Sequence, residues 1–213
     1  MAVRIDLNIS LDGYATTVDQ TPENPFGQDW PRLVSAYVGT RTFRQRVMHD
    51  DSGQGTTGID DAYAQAYFEQ VGAEIMGAGM FGFHTFPNDE NWNGWWGDEP
   101  PFHCPVFVLT HRTRESLQLA GGTTFHFVRA TPQEALAMAQ EVAGGQDIRV
   151  GGGASVAREF LAAGLVDQLH VAITPIVLGQ GIRLWDDLRH FEQGYAVTTD
   201  VAESGTVHVT FRR

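Results

Sequence analysis

Val3, Ile5, Leu7 and Ile9 alternate with Arg4, Asp6 and Asn8, a period of two that predicts a half-buried strand. The turn residues Ser10-Leu11-Asp12-Gly13 end it. From Thr16 to Gly58 the periodicity fades among prolines and glycines. Inside that stretch Trp30 to Val38 predicts a short helix capped by Asp29. A second helix is expected from Asp60 or Asp61 to Gln70, with Gly72 as its stop, and Ala73 to Met76 reads as a short buried strand. A loop rich in tryptophan, glycine and proline runs from Asn88 to Pro101. Strands are then expected at Pro105–Thr110 and Thr124–Val128. Pro132 to Ala143 has the signature of a helix: Thr131 as cap, proline in the first turn, and the Glu134 carboxylate near the positive end.

The strand Asp147–Val150 leads through Gly151-Gly152-Gly153 into a helix from Ala154 or Ser155 to Ala163, with Gly164 behind it. Leu169, Val171 and Ile173 alternate in a further strand. Tyr195–Val201 and Val207–Phe211 form a hairpin turned at Ser204-Gly205. Strands alternating with helices predict an α/β fold with a mostly parallel central sheet covered on both faces, the terminal hairpin adding antiparallel strands at an edge. No repeat or linker divides the chain, so residues 1–213 read as one domain.

Composition narrows the partners. The net charge of −12 opposes nucleic acid and anionic membranes, so a small-molecule substrate is expected instead. The lone Cys104 permits no intramolecular disulfide, and the first residues lack a signal-peptide pattern; both point to the cytoplasm. His49, His84, His103 and His111 have no metal-ligand spacing with Cys104, so no metal is expected.

Two glycine clusters compete as phosphate sites. Gly77-Ala78-Gly79-Met80-Phe81-Gly82 fits G-x-G-x-x-G, but Pro87 and the long loop leave no room for the crossover helix of a Rossmann unit. Gly151-Gly152-Gly153 stands between a strand and a helix start, where unpaired N–H groups and a partial positive charge suit a pyrophosphate. A tight strand-to-helix turn would use the same glycines for packing alone.

Several segments occur in one order that resembles the dihydrofolate-reductase-like superfamily. They are Ser10-Leu11-Asp12-Gly13, Ala73 to Gly77, Pro105 to Arg112, Val150 to Phe160, Ala163 to Leu169 and Pro175 to Gly181. More closely they resemble the reductase domain at the C-terminal end of the bifunctional deaminase–reductase of riboflavin synthesis. The resemblance implies a three-layer dihydrofolate-reductase-like fold, an NADPH-dependent reductase acting on a small heterocyclic or carbonyl substrate, and a homodimer. A 5-amino-6-(5-phosphoribosylamino)uracil reductase is the specific form it suggests; a regulatory dinucleotide-binding module without turnover is the competing reading. It also implies that the nicotinamide lies near Asn8, Ala15 and Thr16. The pyrophosphate would meet Gly77, Gly79, Met80 and Phe81 on one side and Gly151, Gly152, Gly153, Ala154, Ser155 and Val156 on the other. The adenosine end would meet Thr110, His111 and Arg112. Ala78 replaces an arginine usual in the family's loop, which removes a bidentate phosphate clamp, makes Arg112 the candidate substitute and opens the site to NADH.

Candidates for chemistry are few. Asp12 is a possible proton donor, although an aspartate before glycine commonly builds a turn. The first expected helix, Trp30–Val38, carries no carboxylate, which argues against a folate substrate. Trp95, Trp96 and His103 belong to an aromatic concentration that could wall a planar substrate, pack a dimer face or sit beneath a loop.

Overall fold

The computed structural model describes residues 1–112 and 114–213. Its strands are β1 (Val3–Ser10), β2 (Val71–Gly77), β3 (Pro105–Leu109), β4 (Leu117–Gln118), β5 (Thr124–Val128), β6 (Asp147–Gly152), β7 (Gln168–Thr174), β8 (Ala196–Val201) and β9 (Val207–Arg212). They make one sheet in the order β4-β5-β3-β2-β6-β1-β7-β9-β8. The run from β5 to β7 is parallel, while β4 at one edge and the β9–β8 hairpin at the other are antiparallel. This is the dihydrofolate-reductase-like α/β arrangement.

Helices α1 (Trp30–Leu33), α2 (Ser35–Val38), α3 (Arg41–Met48), α4 (Ile59–Phe68), α5 (Ala78–Phe81), α6 (Pro132–Val142) and α7 (Ala154–Ala162) complete the layers. Alternation along the strands gives the sheet two unlike faces. Ile5, Ile75, Ile148, Val150, Leu169 and Val171 pack with Leu136 and Ala139 of α6 and Phe160 and Leu161 of α7 in the main core. The intervening residues Asp6, Glu74, Arg149, His170 and His208 turn the other way, toward α4. There the Arg149 guanidinium pairs with the Glu74 carboxylate, both fully buried, and donates to the Tyr67 carbonyl at 2.7 Å.

The structure departs from the expected elements at several points. The expected Trp30–Val38 helix is two single turns, broken at Val34 (φ −106°, ψ 9°), where the bend buries Leu33 and Val34 together. Helix α3, capped by Thr40, was not legible from the pattern, because Phe43 and Val47 are its only inward apolar pair. Gly72 does not stop α4. It lies inside β2, where a Cβ would come within 2.1 Å of the Ala143 carbonyl oxygen, so it permits β2 to pass against the end of α6. Gly151 and Gly152 extend β6 rather than forming a loop. At α6 the expected cap is present as a full capping box between Thr131 and Glu134.

Candidate functional site: a cleft across the strand ends

One cleft of about 1270 Å³ runs along the carboxyl ends of the central strands. It exceeds the roughly 300–1,000 Å³ of an ordinary single-ligand pocket, so it has room for two ligands side by side. The two glycine clusters that competed in the sequence meet here. Gly77, Ala78, Gly79 and Met80 line one wall, and Gly151, Gly153, Ala154, Ser155 and Val156 the other. A Cβ at Gly77 would lie 2.9 Å from Val156 Cγ2, so glycine is what lets the two turns close on each other.

Helix α7 opens without a side-chain cap, and its first turn closes with Ala157 N–H donating to the Gly153 carbonyl at 3.1 Å. The N–H groups of Ala154, Ser155 and Val156 have no partner among the described residues. Their environment contrasts with α6, whose start is closed by Thr131 and Glu134. An open helix start in a cleft wall is a site for an anion. Gly153 leaves open space where a side chain would stand.

At the β3–β5 end the cleft is lined by Thr110, His111, Arg112 and Arg129. Arg112 donates to the Pro87 carbonyl and lies over the Phe83 ring at 4.8 Å, so it is tied to the loop beside it. Arg129, at the end of β5, has no hydrogen bond or ion pair to any described residue, and sequence reasoning did not single it out. At the opposite end stand Leu7, Ala15, Thr16, Gly181 and Ile182. Ile182 N–H donates to Thr16 Oγ1 at 2.9 Å, and Ala15 N–H to the Ile182 carbonyl at 2.9 Å. Gly181 is required in this clasp: its φ is +130°, and a Cβ would lie 2.1 Å from the Thr16 carbonyl oxygen.

Beside that end the cleft widens into a chamber. Phe26 precedes α1 and Trp30 opens it, Tyr37 comes from α2, Phe43 and Val47 from α3, Tyr67 from α4, Trp95 and Trp96 from the tryptophan loop, and Phe102 follows that loop. Trp95 Nε1 donates to the Met80 carbonyl at 2.8 Å and Trp92 Nε1 to the Phe81 carbonyl at 2.7 Å, which fastens that loop to α5.

Five of the sequence candidates do not line the cleft. Asp12 is a turn residue: its carboxylate accepts from Ser10 Oγ at 2.6 Å, Leu178 N–H at 3.1 Å and Gly179 N–H at 2.7 Å. Desolvation opposes its charge, but these hydrogen bonds outweigh it and hold the carboxyl down to about 2, the wrong state for a proton donor. Phe81 is fully buried in the second apolar cluster, with Phe83, Phe125 and Val108. Asn8 shares the strand alternation of Asp6, pairs in register with Ala172, and is not among the residues that line the cleft. Gly152 ends β6 at φ +121° and joins Gly153 through a cis peptide bond. His103 faces outward, its Nδ1 2.8 Å from the Gly121 carbonyl oxygen, and its N–H donates to Thr123 Oγ1 at 3.0 Å.

No group of three or more metal-ligating side chains is assembled among the described residues. None of the described helices is long and apolar enough to cross a membrane. The donor set along the cleft suits a nicotinamide dinucleotide: an uncapped helix start for the diphosphate, open space at Gly153, and two guanidinium groups at the far end.

Fold and cleft together define a dihydrofolate-reductase-like protein. Residues 1–206 match the RibD C-terminal domain family, and the chain belongs to it. A 67-residue stretch is 37% identical to the uncharacterized protein YyaP of Bacillus subtilis (strain 168), covering 32% of this chain and 36% of that protein. A protein from Shewanella sp. PV-4 assigned to riboflavin biosynthesis is similar in structure, with a TM-score of 0.58, 20% identity, and coverage of 100% of this chain and 99% of the other. Acinetobacter baumannii RibD gives 0.51 at 15% identity, covering 99% of this chain and 57% of that one. The dihydrofolate reductase of Enterococcus faecalis, complexed with NADP(H) and RAB-propyl, gives 0.50 at 13% identity over 100% and 96% of the two chains. At these identities the structural likeness shows the fold.

Proposed function

We propose that the protein is an NADPH-dependent reductase of a small heterocyclic or carbonyl compound. The observation that carries this reading is the continuity of the cleft, from Arg129 past the uncapped start of α7 to the aromatic chamber. A bound nicotinamide dinucleotide supplies the hydride. The first-turn N–H groups of α7 hold its diphosphate, with Gly77 to Met80 as the facing wall. Arg129 and Arg112 take the adenosine phosphate, which favours NADPH over NADH. The clasp between Thr16 and Ile182 bounds the nicotinamide end. The chamber aligns a flat substrate by contact with its rings and keeps bulk water from the reacting face.

Gly153→Asp tests this reading. The new side chain has room, so the fold should be kept, but its carboxylate would stand at the diphosphate site. Calorimetric titration should show NADPH affinity reduced at least tenfold. Undiminished affinity would place the dinucleotide elsewhere. Two substrate classes fit the reading as it stands: the phosphoribosylamino-uracil of riboflavin synthesis and an unphosphorylated heterocycle or carbonyl compound.

A further inference from the structure

We infer that the substrate is an uncharged, planar carbonyl or imine compound that bonds to the hydroxyls of Tyr37 and Tyr67, and that the chamber rejects phosphorylated substrates. The inference rests on the reductase reading above and chooses between its two substrate classes.

The placement of positive charge carries the argument. All 14 basic residues of the chain are arginines, and it contains no lysine. Among the described residues Arg112 and Arg129 are the only arginines that line the cleft, and they follow β3 and β5, separated in the sheet from β1 by β2 and β6. The described lining of the chamber beside β1 holds no arginine or lysine. Helix α3 carries Arg41, Arg44 and Arg46, yet it is Phe43 and Val47 that face the chamber, while Arg44 pairs with Asp50. The Arg149 guanidinium lies behind the Tyr67 ring, 3.6 Å from its centroid, and is paired with Glu74. A phosphate moved from water into such a lining would lose its hydration with no charge to replace it. A flat neutral ring loses little hydration and gains aromatic contact on several sides.

The polar groups that remain are neutral donors. Neither the Tyr37 nor the Tyr67 hydroxyl bonds to any described residue. Burial pushes both phenols above their usual range, so each keeps its proton and can donate to a carbonyl oxygen or ring nitrogen. In the reaction, the carbon of the C=O or C=N bond receives the hydride of the reduced nicotinamide. The π pair moves onto the heteroatom, a solvent proton completes it, and oxidised nicotinamide remains.

The test uses the full chain saturated with NADP⁺ and two matched pairs: pyridoxal with pyridoxal 5′-phosphate, and 2-naphthaldehyde with 6-carboxy-2-naphthaldehyde. Binding is followed by tryptophan fluorescence and turnover by NADPH consumption. The neutral member of each pair should bind at least tenfold more tightly, and Tyr37→Phe combined with Tyr67→Phe should weaken it several-fold. Val47→Arg should reverse the preference by placing a cation in the chamber. Equal or reversed affinities in the unaltered protein, no binding by any of the four, or an unchanged preference in Val47→Arg would overturn the inference. Failure of NADP⁺ itself to bind would instead sink the reductase reading on which it rests.

Discussion

His170 Nε2 and His208 Nδ1 stand 2.9 Å apart inside the protein, and the outer nitrogen of each ring faces a carboxylate: Asp6 at 3.1 Å from His170, Asp60 at 2.9 Å from His208. The Tyr63 ring stacks on both imidazoles, at 4.3 and 4.1 Å, and its hydroxyl donates to Asp200 at 2.7 Å. A proton on every nitrogen of the two rings would leave the central contact without an acceptor.

This arrangement makes stability depend on pH. Burial lowers the proton affinity of His208 below its usual value, more than the Asp60 bond restores it. A histidine with a depressed folded pKa stabilises the fold above about pH 6.5, the unfolded value, and that contribution is lost as pH falls through the folded value. For one proton the slope is at most about 1.4 kcal/mol per pH unit. Urea denaturation at pH 7.5, 6.5 and 5.5 should show stability falling toward acid, and His208→Gln should flatten that fall. An identical slope in the variant would remove the pair from the account.

The Glu74–Arg149 pair predicts a strongly asymmetric mutational response. Burial pushes the Glu74 carboxyl up, against the pull of Arg149. Arg149→Met would leave that carboxyl buried without its partner, at a cost of about 3–5 kcal/mol. Combining it with Glu74→Gln should recover much of the loss. A double-mutant cycle in guanidinium denaturation measures the coupling, and simple additivity would contradict it.

Cofactor choice should depend more on Arg129 than on Arg112. The first has no hydrogen bond or ion pair among the described residues, while the second is held by the Pro87 carbonyl and the Phe83 ring. A charge-assisted hydrogen bond contributes about 1.5–3 kcal/mol, so Arg129→Ala should weaken NADPH binding tenfold or more and leave NADH nearly unchanged. Titrations with both dinucleotides decide this. A larger selective effect from Arg112→Ala would reverse the assignment.

Asp12→Asn should act on the clasp rather than on chemistry. The carboxylate joins the first turn to the Leu178–Gly179 segment, so its neutralisation is expected to cost about 1–2 kcal/mol of stability. The pH dependence of turnover should stay unchanged. A lost or displaced ionisation in the kcat profile would restore Asp12 as a proton donor.

The legible parts of the molecule were those whose physics is local. Alternation marked β1 and β7, and the caps marked α6. Gly151 to Gly153 marked the β6–α7 junction. Helix α3 was hidden because three arginines surround its apolar pair, and the break at Val34 depends on where Leu33 must be buried. Gly72 looked like a helix stop because its reason lies across space, at Ala143. The chamber was the least legible feature of all. Trp95 and Trp96 drew notice by composition, but Tyr37, Phe43 and Tyr67 converge on them only in three dimensions. Arg129 gave no signal beyond following a strand.

The unlike faces of the sheet also divide the labour of the site. The start of α7, where the diphosphate would rest, belongs to the layer held by branched aliphatic and aromatic side chains, which no proton reaches. Much of the chamber belongs to the layer fastened by Asp60, His208, Glu74 and Arg149, which acid loosens. Mild acidification should therefore uncouple two properties that are joined at neutral pH. Backbone amides of α4 should exchange with deuterium sooner than those of α6 and α7, and the protein should keep its grip on the dinucleotide after it has let go of the molecule to be reduced.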